Sequence, residues 1–120
     1  MSTNSQSKAS LSYLKFLNLA QSIRALPGFP AMDAVEERMM NLFAASWQAK
    51  QQVTVLQAMD MVQGISPSTA HRRLKALRKR GLIALEIDDI DNRVKYVVPT
   101  AKAIDYFARL GQCLIKAAGR

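Results

Sequence analysis

The chain has 120 residues, 49% of them hydrophobic, and its 17 lysines and arginines against 9 acidic residues give a net charge of +8. The hydrophobic content excludes a wholly disordered chain, and the length predicts one domain, with or without dimerisation arms. The single cysteine, Cys113, excludes a disulfide framework and a cysteine-rich zinc site. No apolar run reaches the roughly 18 residues of a membrane span, and no signal-peptide core follows the polar start, so we expect a cytoplasmic protein with no membrane contact.

The first third of the chain predicts a tail and two helices. Residues 1–10 are polar and serine-rich, which predicts a disordered tail. Apolar residues recur at spacings of three and four over residues 11–26, which indicates a helix with a wide apolar face that needs more than one packing partner. A Pro-Gly-Phe-Pro cluster ends this helix. Asp33, with Glu36 three residues later, predicts the capping box of the second helix.

The middle of the chain carries a helix-turn-helix pattern. Thr54 and Gln57 form a second cap pair, which predicts a short helix through Val62 after an extended link at residues 51–53. Gly64 supplies the turn, because glycine adopts a positive φ at little cost. Ser66 then caps a helix that has proline in its first turn, runs to Arg80 and stops at a glycine.

A β-hairpin and a last helix follow the helix-turn-helix pattern. Ile83–Ile87 and Arg93–Val98 are rich in β-branched and aliphatic residues, and the aspartate-rich link between them predicts a hairpin. Pro99 ends the second strand. Thr100 caps a final helix through Ala118, which is again apolar over a wide face.

Six lysines and arginines crowd into the nine positions 72–80, with no acidic residue among them. At 100° per residue, Ala70, Leu74 and Leu77 fall on one side of the helix and predict its core face. A cationic block of this density predicts a polyanionic partner, and duplex DNA carries one negative charge about every 1.7 Å of its axis. The alternative is an ordinary solvated basic face. The residues predicted to project from the opposite side are Ser68, Arg72, Lys75 and Lys79, flanked by Thr69, His71 and Ala76.

The helix from Ser66 to Arg80 is therefore the predicted reader of DNA. Recognition helices contact base edges mainly through their N-terminal residues, and Arg72 has the fork geometry that binds guanine, worth about 1–3 kcal/mol of discrimination. Arg73 lies beside the core stripe, so we expect it to snorkel or to pair internally. The predicted base-edge or near-base contacts are Ser68, Thr69, His71 and Arg72, and the predicted phosphate contacts are Lys75, Arg78 and Lys79. The capping residue Ser66 is counted with them among the predicted DNA-binding residues of this helix.

The hairpin is the second predicted contact. Arg93 and Lys95 alternate with apolar neighbours, which places both on one strand face near the tip, with Arg93 suited to the minor groove. Asp88 and Asp91 would repel phosphate, so we expect them to bond backbone N–H groups or to hold Arg93 in place. The alternative is an ordinary exposed hairpin.

These two segments resemble a known family. The segment from Ile65 to Ile83 resembles the recognition-helix segment of MarR-like (multiple antibiotic resistance regulator) winged-helix transcription factors, and the segment from Asp88 to Thr100 resembles that family's wing. The resemblance covers roughly residues 33–105 and implies a homodimer with intertwined terminal helices. It also implies a pseudo-palindromic DNA site and often repression. In the wing motif Asp88, Asp91, Arg93 and Thr100 match, whereas Asn92 replaces the first of two arginines and Pro99 replaces an aliphatic residue. Asn92 is counted with Arg93 and Lys95 in the predicted wing contact.

The predicted fold is mainly α (α+β): a winged helix-turn-helix with a two-stranded wing and flanking N- and C-terminal dimerisation helices. Residues 11–26 and 100–118 are predicted to form the homodimer. One C-terminal helix is predicted where the family commonly has two, so a small-molecule ligand is possible but not indicated. The predicted organisation is a tail over 1–10, a dimerisation helix and linker over 11–30, a winged helix-turn-helix domain over 31–99 and a C-terminal dimerisation helix over 100–120.

The predicted function is a sequence-specific regulator of transcription that binds double-stranded DNA as a homodimer, with repression as its first role. One alternative is a winged-helix DNA-binding protein of a mobile element, with a partition, replication or architectural role. Another is a winged helix that binds only proteins. One histidine, one cysteine and scattered carboxylates predict no enzyme, no metal site and no cofactor. We expect the protein in the cytoplasm, associated with the nucleoid if it is bacterial.

Overall fold

The computed structural model describes residues 7–119 and divides into two compact units. We call them the terminal unit (Met1–Ala31 with Asp105–Arg120) and the central unit (Met32–Ile104). The predicted disordered tail lies outside the described residues over 1–6. No helix within residues 7–119 is long and apolar enough to cross a membrane.

The terminal unit begins with helix α1 (Lys8–Arg24), which starts before the predicted boundary. The Ser7 hydroxyl accepts a hydrogen bond from the Ser10 backbone N–H at 3.1 Å, and a serine in this position stabilises a helix start. The prediction of a tail through residue 10 was therefore wrong from Lys8 onward, because the polar composition concealed a local cap.

Aromatic contacts organise the rest of the terminal unit. The ring of Phe29 lies 5.3 Å from that of Tyr106, and the guanidinium of Arg109 lies 5.1 Å from the centre of the Phe29 ring, within the range of a cation–π interaction. Cys113 is buried. Many large apolar side chains of this unit are nonetheless exposed, namely Leu11, Tyr13, Leu14, Leu17, Leu26, Leu114 and Ile115.

The central unit has the predicted order of helices, and its caps form as the sequence indicates. Asp33 and Glu36 form a capping box, as do Thr54 and Gln57, and the Ser66 hydroxyl accepts from the N–H three residues later. The third helix stops short of the predicted end at Val62. The helices are α2 (Ala34–Gln48), α3 (Val55–Asp60), α4 (Pro67–Lys79) and α5 (Ala101–Ala117), of which residues 101–104 belong to this unit.

The sheet has one strand more than the predicted hairpin. Strands β2 (Ile83–Ile87) and β3 (Lys95–Pro99) pair antiparallel, and a short strand β1 (Val53–Thr54) pairs with the other edge of β3. Val97, in the central strand, receives a hydrogen bond on its carbonyl oxygen from the Trp47 indole N–H at 3.0 Å. The architecture is thus a mainly α winged helix-turn-helix with a three-stranded antiparallel sheet.

Helix α4 is held in this unit through its apolar side. Ala70, Leu74 and Leu77 are buried, as predicted from their spacing. The Thr100 hydroxyl donates to the Gly81 carbonyl at 2.6 Å and accepts from the Ala103 N–H at 3.1 Å, which ties the start of α5 to the end of α4. The opposite side of α4 is left to face solvent.

Candidate nucleic-acid interface

Hydrogen bonds order the side chains at the start of α4. The Ser66 hydroxyl lies 3.0 Å from the Thr69 hydroxyl, to which it donates, and 3.2 Å from the Ser68 hydroxyl. The guanidinium of Arg72 donates to the Thr69 hydroxyl at 3.3 Å. Ser66, Ser68 and Arg72 are exposed and Thr69 is half-buried. The predicted base-contacting residues are therefore close together, and Arg72 is oriented along the first turn.

Two of the exposed cations of α4, Lys75 and Arg78, lie beside the hairpin. A cleft of about 280 Å³ runs between the two elements. Its floor is apolar, with Leu74 and Leu85 among its lining residues, and His71, Lys75 and Arg78 of α4 line it together with Lys95 of β3. Helix and hairpin thus present positive charge to the same cleft. The exposed cations of α4 are Arg72, Lys75, Arg78 and Lys79, and His71 is exposed with them.

Two members of the cationic block turn the other way. Arg73 places its Nη1 2.8 Å from Asp33 Oδ2, and Arg80 places its Nη1 2.6 Å from Glu36 Oε1. Of the two roles expected for Arg73, internal pairing is the one observed. The sequence shows no acid within the block itself, and the partners of Arg73 and Arg80 lie far away in the chain, at the start of α2.

Glu36 is a functional candidate that sequence reasoning assigned only to capping. Its side chain is 1% exposed, and its Oε1 accepts both from the Asp33 backbone N–H at 3.0 Å and from Arg80. Its Oε2 lies 4.0 Å from Arg73 Nη1 and makes no hydrogen bond, and the Nε of Arg73 is likewise buried without a partner. A glutamate at the third position of a capping box gives no local signal of a partner 44 residues away.

Asp88 and Asp91, two of the three aspartates in the hairpin, have the roles expected of them. Asp88 Oδ2 accepts from the backbone N–H groups of Ile90 and Asp91 at 3.0 and 2.8 Å, and its Oδ1 accepts from the Tyr96 hydroxyl at 2.8 Å. Asp91 holds Arg93 through two side-chain hydrogen bonds of 3.0 and 3.1 Å. The turn is therefore shaped by carboxylates rather than by glycine.

The basic residues of the hairpin are placed differently from the prediction. Strand β3 begins at Lys95, and Arg93 lies in the preceding turn with Asn92, so the alternation that put Arg93 and Lys95 on one strand face does not apply. The reason is the pairing of Asp91 with Arg93, which belongs to a turn rather than to a strand. Asn92 and Lys95 are exposed, and the Arg93 side chain is 87% exposed despite its ion pair.

These contacts shift the ionisation of the hairpin groups. The backbone N–H of Asp91, then the Tyr96 hydroxyl and the backbone N–H of Ile90, lower the pKa of Asp88. The side chain and backbone of Arg93 lower the pKa of Asp91, and the same side-chain bond raises the pKa of Arg93. Donation to Asp88 raises the pKa of Tyr96. Both aspartates are therefore stabilised as anions.

No group of three or more histidine, cysteine, aspartate or glutamate residues within residues 7–119 is arranged to hold a metal ion. His71, the single histidine of the chain, lies in the cleft beside cations instead. The chemistry available at this surface is that of cations, hydroxyls and one imidazole, which suits binding to an anionic surface.

Several solved structures resemble this chain. It is 22% identical to the heme sensor protein PefR from Streptococcus agalactiae, solved in complex with heme, with a TM-score of 0.58 over 87% of this chain and 65% of that one. It is 17% identical to MepR from S. aureus bound to ethidium bromide, with a TM-score of 0.68 over 95% and 79% of the two chains. For a MarR-like transcriptional regulator from Thermotoga maritima the identity is 19% and the TM-score 0.61, over 88% and 73%.

These likenesses establish the fold. The chain has the winged-helix fold of MarR-like regulators, so the resemblance noted in its recognition-helix and wing segments is confirmed at the level of the fold. It spans about two thirds of the length of the PefR chain. No family model matches the chain, and no curated protein sequence matches it.

The hydrogen bond from Tyr96 to Asp88 leads to a testable prediction about the pKa of Asp88. Because the pKa of Asp88 in the folded hairpin lies below its ordinary value of 3.8, the stabilisation it provides is complete above that value and is lost as the pH falls through the folded value. Replacing Tyr96 with phenylalanine removes one donor and should raise the pKa of Asp88. Carboxyl titration by NMR measures this, with Tyr13→Phe, an exposed tyrosine of the terminal unit, as the control. An unchanged pKa of Asp88 in Tyr96→Phe would contradict the assigned cause.

Proposed function

We propose that this protein is a member of the MarR-like regulators that binds double-stranded DNA as a homodimer and regulates transcription, first as a repressor. The observation that carries the proposal is that four cations of α4 are exposed away from its buried stripe, and two of them, Lys75 and Arg78, line the same cleft as Lys95. A surface of this kind is the electrostatic footprint of a nucleic-acid-binding protein. A protein with this role acts in the cytoplasm.

The start of α4 is the part suited to reading bases. In a helix-turn-helix, the N-terminal residues of the second helix lie deepest in the major groove. The ordered hydroxyls of Ser66, Ser68 and Thr69 can each donate or accept a hydrogen bond there. Arg72, which already hydrogen-bonds Thr69, loses less rotational freedom on binding guanine than an unrestrained side chain would. His71 completes the set of base-edge or near-base contacts.

The later turns of α4 and the hairpin are suited to the DNA backbone. Lys75, Arg78 and Lys79 lie farther along the helix and bind phosphates, which fixes the register of the protein on the duplex. Arg93, with Asn92 beside it, extends from the hairpin turn toward the minor groove, where the negative potential is strongest. Lys95 adds a phosphate contact next to the cleft.

The terminal unit supports a homodimer. Leu11, Leu14 and Leu17 recur along α1 and are 51%, 43% and 40% exposed, and Leu114 and Ile115 of α5 are also exposed. Large apolar side chains grouped in this way mark an interaction surface. A twofold dimer presents two copies of α4 to successive major grooves about 34 Å apart, which matches a pseudo-palindromic site.

Arg72 provides the first test of this function. Arg72→Ala should lose preference at one base pair of each half-site, a loss of about 1–3 kcal/mol in discrimination, because the bidentate guanine contact is gone. Selection of bound duplexes from a random-sequence pool, followed by competition binding, measures the preference. Arg38→Ala, which removes an equal charge from the exposed side of α2, should retain it. Identical preferences for all three proteins, or no selected sequence at all, would contradict the proposal.

The dimer makes a separate prediction. Leu14→Glu and Leu17→Glu place charge within the exposed apolar group of α1, so both should shift the protein from dimer to monomer and weaken binding to the inverted repeat. Sedimentation equilibrium measures the change in mass. Leu56→Glu is the matched control, because Leu56 is 81% exposed but lies on α3 in the central unit. A wild-type monomer at micromolar concentration would show that α1 serves another purpose.

A further inference from the structure

Glu36 connects α2 to α4 at the back of the candidate interface. This carboxylate is 1% exposed, and burial of a charge is costly unless cations lie against it. Those cations come from α4: Arg80 Nη1 bonds Glu36 Oε1 at 2.6 Å, and Arg73 Nη1 lies 4.0 Å from Oε2 while bonding Asp33 at 2.8 Å. Asp33, which caps α2, and Glu36 thus balance Arg73 and Arg80, two of the six cations along α4 and its C-terminal cap.

The spacing of Arg73 and Arg80 explains why these two cations, and not their neighbours, reach the acids at the start of α2. Arg73 and Arg80 are seven residues apart, which is close to two helical turns, so both point toward α2. Arg72 and Lys79 have the same spacing one residue earlier, and the 100° offset per residue carries them to the exposed side. Two ion pairs about two turns apart therefore act together with the buried apolar stripe to fix the rotation of α4 about its axis.

We propose that Glu36, assisted by Asp33, is a positioning residue of the DNA interface that withholds Arg73 and Arg80 from DNA phosphates. The cations that α4 offers to DNA are then Arg72, Lys75, Arg78 and Lys79, because Arg73 and Arg80, although their side chains are 37% and 41% exposed, are held by acids. The sequence-independent affinity for DNA is lowered accordingly. This inference rests on the proposed DNA-binding function. It goes further by assigning a regulatory effect on specificity to a buried acid that touches no DNA.

The salt dependence of DNA binding measures how many cations of the protein contact phosphates. Each phosphate contact contributes about 0.9 to the slope of log affinity against log salt concentration, so one contact changes affinity about 3.5-fold between 50 and 200 mM salt. The probe is a duplex of random sequence, and the readout is fluorescence anisotropy over a salt series. A merely structural role for Glu36 would lower the fraction of active protein and leave this slope unchanged.

We expect the neighbouring residues Lys79 and Arg80 to affect the salt slope differently. Lys79→Gln should lower the slope by about 0.9, whereas Arg80→Gln should leave it unchanged because Arg80 does not contact phosphate. Glu36→Gln should steepen it by about 0.9 by releasing Arg80 to bind a phosphate, and Glu36→Gln with Arg80→Gln should restore the wild-type slope. Asp60→Asn makes the same change of charge at an exposed carboxylate of α3 and is the control, with no expected change.

Two results would overturn the inference. One is a loss of slope in Arg80→Gln equal to that in Lys79→Gln, and the other is a Glu36→Gln slope identical to wild type in folded protein. If Glu36→Gln does not fold, guanidinium NMR of the wild-type protein gives the answer: on addition of the duplex the Arg72 signal should shift and the Arg80 signal should not. No binding at 50 mM salt would instead overturn the proposed function, and this inference with it.

Discussion

The burial of one stripe of α4 determines what the rest of the molecule can present. Ala70, Leu74 and Leu77 pack into the central unit. Because of the helical period, the cations on the other side of α4 then face solvent. The apolar contacts stabilise this helix in the fold, because its lysine and arginine side chains repel one another. The surface proposed to meet DNA is therefore a consequence of how the core is packed.

The charged side chains of α4 are divided between its two sides, as its apolar side chains are. The two arginines nearest the core side neutralise Asp33 and the buried Glu36, whereas the outward cations have no acid among them. Acidic side chains have a similar role in the hairpin, where Asp88 shapes the turn and Asp91 holds Arg93. In both places an acid that looks unfavourable for DNA binding serves to orient a cation or the backbone around it.

Local signals explain what could be predicted. The capping residues Asp33, Thr54 and Ser66 act within three residues of themselves, and the core face of α4 follows from its period, so all of these are confirmed. The partners of Arg73 and Arg80, the strand β1 and the turn position of Arg93 depend on residues brought together by folding. Composition also failed at Lys8, where one serine cap outweighs a polar neighbourhood. The DNA sequence that α4 is proposed to read likewise depends on a partner outside the chain.

In the proposed complex the start of α4 lies against the bases of a duplex, once in each half of an inverted repeat. A DNA-cleaving iron chelate attached at Ser68→Cys, at the exposed start of α4, tests this directly on a duplex recovered by selection, since the natural Cys113 is buried. The account predicts strong cleavage in two segments about one helical turn apart. It would be contradicted if the same chelate attached at Asn41→Cys, on the exposed side of α2, cut the duplex as strongly or if neither protein cut at defined positions.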